Sequence, residues 1–262
     1  MILDRFRLDG KVAIVTGAGR GIGAGIALAF AEAGADVAVA SRTQKEIDEV
    51  AAQIRALGRR AISVPCDVMQ HPELESLVER TQKELGGVDL VVNNAGGAPW
   101  KPFLQTSERV FEEAYRFNVT SAFLLSRFAV PRLLERGGGA IVNVSSAMGR
   151  VTDRGFSAYG AAKAGLSHLT RLLATELAPR VRVNALAVGA VETSALAPFL
   201  AAEGMREKME SLTPLRRIGQ PEDIGAAAVW LASPAGAWVT GKVIEVDGGQ
   251  ETTNFPLHLP DL

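Results

Sequence analysis

Short apolar runs alternate with stretches of helical periodicity along the whole chain. Residues 11–16 (KVAIVT) form a β-branched run, residues 17–23 are glycine-rich and residues 24–33 are rich in alanine, which predicts a strand, a tight turn and a helix. The unit recurs. Further strands are predicted at residues 36–40, 60–65, 89–93, 140–144, 181–186 and 242–246, and helices at 44–57, 72–85, 108–135, 157–178 and 221–232. The last helix opens with Pro221 and carries Glu222 and Asp223 in its first turn, where the missing proline N–H is harmless and the dipole favours acids. Runs such as VDLVV (88–92) and AIVNV (140–144) lack polar alternation, so both faces of those strands must be covered. The order predicts an α/β fold: a doubly wound parallel sheet of seven strands with helices on both faces. No Pro-, Gly- or Ser-rich linker divides the chain, so residues 1–262 are expected to form one domain.

Composition narrows the partners. Twenty-eight Lys and Arg against 29 Asp and Glu give a net charge of -1, with both signs mixed along the chain. No basic stripe marks a nucleic-acid or anionic-lipid partner. The charged residues 1–9 lack the apolar core of a secretory signal, and the uncharged stretch 224–241 is broken by Ser233, Pro234 and Gly236. No membrane span is expected. A single cysteine, Cys66, allows no internal disulfide and suits a reducing, cytoplasmic setting, with the thiol packed in a core. His71, His168 and His258 are scattered, so no metal site is expected.

Gly17, Gly21 and Gly23 form GxxxGxG at the first strand-to-helix turn. Missing side chains there let backbone amides and a helix N-terminus approach a pyrophosphate, although a tight turn needing positive φ reads the same way. The spacing also differs from GxGxxG. In dinucleotide folds an acid about 20 residues on binds the ribose, whereas a cation accommodates a 2′-phosphate. Here the second strand ends Ala40, Ser41, Arg42. Arg42 and Arg20 could grip a phosphate, which predicts NADP in preference to NAD; solvated surface arginines are the alternative. Asp67, after the third strand, can accept from an adenine amino group.

Tyr159 and Lys163 stand four apart in a helical segment, hence one turn apart on one face. Lowering a tyrosine by ~3 pKa units requires about 4 kcal/mol, and a cation at ~5 Å in an effective dielectric of ~20 supplies about 3 kcal/mol. By itself YxxxK reads equally as an exposed helix face.

With TGAGRGIG (16–23), NNAG (93–96), Asn118, Ser145-Ser146 and Tyr159xxxLys163, the chain resembles the short-chain dehydrogenase/reductase family from end to end. The resemblance implies a Rossmann-type sheet and hydride transfer between a nicotinamide cofactor and a secondary alcohol or ketone. It also implies a tetrad of Asn118, Ser146, Tyr159 and Lys163. Ser146 is preferred to Ser145 because it lies thirteen residues before Tyr159, the usual family separation. In these roles Tyr159 exchanges the proton, Ser146 stabilises the substrate oxygen, Lys163 tunes Tyr159 and holds the ribose, and Asn118 anchors a water. The implied cofactor residues are Gly17, Arg20, Gly21, Ile22, Gly23, Ser41, Arg42, Asp67, Val68, Asn94, Ala95, Gly96, Tyr159, Lys163, Val191 and Thr193. Val188-Gly189 departs from the family's frequent Pro-Gly, which should loosen the loop after the sixth strand without abolishing cofactor binding.

Residues 193–212 occupy the place where the family keeps a substrate lid, though a plain surface helix pair would read alike. Trp100, Met148, Val151, Phe156 and Phe199 are expected around the pocket mouth, an apolar lining suited to a hydrophobic ketone. Stretches such as NNAGGAPWKPF and SPAGAWVTGKVIEVDGG are similar to bacterial 7α-hydroxysteroid dehydrogenases and, more loosely, to 3-oxoacyl-carrier-protein reductases. For a carrier-protein substrate, Arg150, Arg154, Arg216 and Arg217 could supply a basic patch. The alternative of another class is a catalytically silent protein sensing NADP(H), which a missing tyrosine or lysine would favour; both are present. The family is usually tetrameric, and the predicted helices carry Phe123, Phe128, Leu166, Leu169 and Leu173, some toward such contacts and some toward the chain's own sheet. The tail 254–262 (NFPLHLPDL) is expected to lie near the lid of its own or a neighbouring subunit, or to fray.

Overall fold

The computed structural model describes residues 1–256 and Leu259. Seven parallel strands, β1 (Val12–Thr16), β2 (Asp36–Ser41), β3 (Ala61–Pro65), β4 (Leu90–Asn93), β5 (Gly139–Ser146), β6 (Val181–Val188) and β7 (Val243–Val246), form one sheet in the order β3-β2-β1-β4-β5-β6-β7. The helices are α1 (Gly21–Glu32), α2 (Gln44–Ala56), α3 (His71–Leu85), α4 (Glu108–Tyr115), α5 (Ser121–Glu135), α6 (Ser157–Leu177), α7 (Ala197–Leu200), α8 (Met205–Leu212) and α9 (Pro221–Ala232).

The unbroken apolar strands have the expected cause. Ala13 and Val15 of β1 face one core with Ile26 and Phe30 of α1 and Ile224 of α9, while Val12 and Ile14 face another with Leu74 of α3, Leu125 of α5 and Leu173 of α6. A strand sandwiched this way needs apolar residues at both parities. Strand order reverses between β1 and β4, and the crevice outside the C-terminal ends at such a switch point is where open α/β sheets bind ligands. Thr16, Ser41, Asn93, Ser146 and Val188 end their strands there.

Two differences from the sequence reading shape that crevice. Strands β5 and β6 run two residues further than predicted because Ser145 pairs with Ala187 and Ser146 with Val188, so partner pairing overrides weak strand propensity. Just beyond β6, Gly189 donates its N–H to the Val246 carbonyl at 3.1 Å, tying the Val188-Gly189 turn to β7. The single helix expected over 108–135 is broken by a π-helical turn at Arg116–Thr120, closed by the Ser121 N–H on the Arg116 carbonyl. Apolar periodicity on both sides hides such a turn, since it only shifts the phase.

Candidate active site

A cavity of about 590 Å³ follows the crevice, and all sixteen residues expected to bind the cofactor line it. At its floor Gly17 has φ +62°, a left-handed conformation that favours glycine. A Cβ on Gly23 would lie 2.2 Å from the Gly17 carbonyl and 2.5 Å from Asn94 Nδ2, so only hydrogen fits where the turn crosses itself. Asn94 locks that turn by donating Nδ2 to the carbonyls of Thr16 (2.9 Å) and Gly17 (3.1 Å). Helix α1 starts beneath with no side-chain cap, leaving its first N–H groups for an anion. The cradle fits a dinucleotide.

The adenosine end is more polar than the sequence reading allowed. Arg20 reaches this end, but its Nη1 is 3.1 Å from Glu46 Oε1, a cavity-lining carboxylate on α2 that belongs to no sequence motif. Arg42 lines the same end and makes no ion pair among the described residues. Asp67 accepts the Met69 N–H on Oδ1 at 3.0 Å. Cys66 is buried, and burial with Glu73 and Asp67 nearby pushes its thiol up to about 12.

The tetrad residues converge at the opposite end. The Tyr159 phenol stands beside the Ser146 hydroxyl, whose Oγ accepts the Met148 N–H at 3.2 Å. Ser145 points elsewhere: its hydroxyl bonds the Lys163 carbonyl and the Ser167 hydroxyl. Lys163 Nζ is buried, donates to the Val144 carbonyl at 2.8 Å and lies 5.7 Å from the Tyr159 ring centre. Asn118, carried on the π turn, donates Nδ2 to the carbonyls of Gly97 and Ala114, both at 2.8 Å, and accepts the Gly97 N–H on Oδ1 at 3.0 Å. It braces the loop behind the cavity.

The expected lowering of Tyr159 by Lys163 is not the balance found. Burial pushes the phenol above its ordinary value, and the neighbouring Ser146 hydroxyl only partly opposes it. Burial also brings Lys163 down to about 8, so it keeps its charge at neutral pH and gives it up just above.

Trp100, Met148, Phe156 and Phe199 line the cavity as expected. Val151 does not; it is buried, and its N–H bonds the Ala147 carbonyl. Ser194, Ala195, Leu196 and Met209 of the 193–212 segment join the lining, as do Gln250, Thr253, Asn254 and Phe255 beyond β7. The tail residues carry no motif. Only their apolar character marked them, and five of the nine tail residues, 257, 258 and 260–262, lie outside the described residues. The suggested basic patch is largely neutralised: Arg150 pairs with Glu245, Asp247 and Glu251, and Arg217 with Asp223.

Among the described residues no helix is long and apolar enough to cross a membrane. A family model described as "Enoyl-(Acyl carrier protein) reductase" matches residues 17–251. The chain is 56% identical over its full length and that of its relative to an uncharacterized oxidoreductase of Mycobacterium tuberculosis. It is 42% identical to the 7α-hydroxysteroid dehydrogenase of Escherichia coli K12, over 94% of this chain and 96% of the relative. A solved 7α-hydroxysteroid dehydrogenase complexed with NADH and 7-oxo glycochenodeoxycholic acid superposes with a TM-score of 0.91 at 42% identity, covering 94% of this chain and 96% of that one. The chain belongs to the short-chain dehydrogenase/reductase family. It is an oxidoreductase that works with a nicotinamide cofactor on hydroxyl and keto groups, and a silent sensor is not favoured.

Proposed function

We propose that this enzyme reduces a hydrophobic ketone, with Tyr159 as proton donor, Ser146 as the second donor to the substrate oxygen, Lys163 beneath them and Asn118 bracing the loop behind. The observation that carries it is that the Ser146 and Tyr159 hydroxyls stand side by side in the cavity lining, next to its apolar half. Two hydroxyls there can both reach one oxygen and stabilise the charge that develops on it. When bound, the nicotinamide supplies the hydride. A phenol raised by burial stays protonated at neutral pH, which favours the reductive direction. Lys163 Nζ is positioned by Val144 to donate to the cofactor ribose, and the free lone pair of Asn118 Oδ1 is the acceptor for a relay water.

For cofactor choice we favour NADP. Arg42 supports a 2′-phosphate site, and Arg20 would share its guanidinium between that phosphate and Glu46. The NADH of the hydroxysteroid dehydrogenase complex and the Glu46 carboxylate support the competing choice of NAD. The substrate reading rests on the apolar lining and on that relative's steroid ketone; the paired arginines argue against a carrier-protein substrate. Residues 193–212 act as the lid, with Met209 as their buried anchor.

We also infer a cytoplasmic homotetramer. Of the residues expected at its contacts only Phe123 is strongly exposed; Leu166 and Leu173 are buried, while Phe128 and Leu169 pack on the chain's own core. Phe111, Tyr115 and Leu172 replace them as an exposed apolar face on α4 and α6, and β7 leaves a second open edge. NADPH or NADH oxidation against a panel of cyclic and acyclic ketones tests the reaction, and light scattering at micromolar concentration tests the assembly. No oxidation with any ketone would overturn the first reading, and a monomer the second.

A further inference from the structure

Beyond β7 the chain turns back over the substrate end of the cavity, fastened at successive residues. Asp247 Oδ1 accepts the N–H groups of Gly249 and Gln250, and Arg150 donates to the Gln250 carbonyl and pairs with Glu251. Thr253 Oγ1 donates to Asp153 Oδ2 at 2.8 Å and accepts the Phe255 N–H at 3.1 Å. Asn254, 5% exposed, donates Nδ2 to Thr213 Oγ1 at 2.9 Å, and that hydroxyl in turn donates to the Met209 carbonyl of α8. A frayed terminus would not bury an asparagine against a lid helix.

These fastenings aim Phe255 into the cavity, where it touches aromatic rings from three other segments. Its centroid lies 5.1 Å from Phe199 of α7 at 70°, 5.6 Å from Phe156 at 86° and 6.5 Å from Trp100 at 58°. Phe156 in turn lies 6.4 Å from Tyr159. Trp100 is itself fixed, donating Nε1 to the Arg154 carbonyl at 3.0 Å. Tilted and edge-on pairs at these distances are attractive, and Phe255 is the ring common to three of them. The position falls after residue 251, where the family match ends.

We infer that Phe255 determines substrate specificity by completing an aromatic wall that selects fused-ring or aryl ketones over small or hydrated ones; this rests on the ketone reductase reading above. The rings enclose an apolar slot beside Tyr159, and a bulky ring system gains by leaving water for it. A small ketone reaches Ser146 and Tyr159 while burying little against the wall.

The test uses the full chain with NADPH and two probes, 1-decalone and cyclohexanone. Phe255→Ala should raise the KM for 1-decalone about tenfold or more, well beyond its effect on cyclohexanone, with little change in kcat. Phe255→Leu, which keeps most of the volume, should recover most of the loss, and Thr252→Ala, at an exposed neighbour outside the lining, should match the unaltered chain. Calorimetric binding of 1-decalone to the chain loaded with NADP⁺, which has no hydride to give, should follow the same order. Unchanged KM and affinity in Phe255→Ala would overturn the inference. So would equal losses for both ketones and for NADPH in Phe255→Ala and Phe255→Leu, which mark a structural role, or failure of the unaltered chain to bind 1-decalone. Binding that depends on Phe255 without turnover of any ketone would instead overturn the reaction reading alone.

Discussion

The two ends of the cavity are built on opposite plans. The adenosine and pyrophosphate part of the cofactor end comes from one stretch of chain, residues 12–96, and its shape is set by backbone: strand ends, a self-crossing turn and the uncapped start of α1. The substrate end is assembled from Trp100, Phe156, Phe199 and Phe255, side chains on four separate segments that meet only in the folded molecule. A partner common to a whole family is met by backbone that sequence change can hardly alter. The variable partner is met by loops on that rigid frame.

The contrast is sharpest at Tyr159, which belongs to both ends. Tyr159→Phe should lower turnover by roughly 10²–10⁴-fold while the dissociation constant of NADPH, read by fluorescence, changes little; appreciable turnover by the purified variant would place the proton donor elsewhere. Gly23→Ala strikes the backbone plan alone. Its methyl would meet the Gly17 carbonyl, so cofactor affinity should fall by about 100-fold, with a lowered melting temperature, because a strain of roughly 1–3 kcal/mol has nowhere to relax.

Lys163 connects the two ends electrostatically, and its burial can be read from stability. With its folded pKa near 8, below the ordinary 10.5, the unfolded chain binds more protons between those values, so folding gains stability as pH rises through that window and loses it below. Relative to Lys163→Met, the unaltered chain should become about 2 kcal/mol more stable between pH 7 and pH 9.5, as urea titration would measure. A flat difference would mean that the ammonium is not desolvated. The smallest expected effect is at the adenosine rim. Ser41→Asp with Arg42→Ala should move the NADPH to NADH preference by about ten- to 100-fold toward NADH, and an unaltered chain that already prefers NADH would show that Glu46 outweighs Arg42.

The same division decided how much could be read before any coordinates. Strand order and the glycine turn were legible because they rest on local periodicity and on positions where a Cβ has no room. Tyr159 and Lys163 were legible because helix geometry fixes their separation. Glu46 was missed because a carboxylate on the polar face of a helix has no signature until the fold brings it beside Arg20. Val151 was misplaced for the converse reason, since apolar character alone does not tell a cavity wall from core. The sign of the Tyr159 shift was misjudged because spacing reveals the cation but not the desolvation that surrounds both groups.

The π turn at Arg116–Thr120 converts a count of residues into an angle. One extra residue in a helix advances its azimuth by about 100°, so α4 and α5 run on as a single rod whose two halves face different directions. The rod's length could be preserved by almost any sequence, but its phase depends on that one turn holding. Removing a single residue there, at Val119 for example, would heal the helix and in the same step rotate α4 against α5. Asn118 would then swing with α4 away from Gly97, to which it now donates and from which it accepts, and that loop would lose its brace. In this molecule a helix with perfect hydrogen bonding is the defective one.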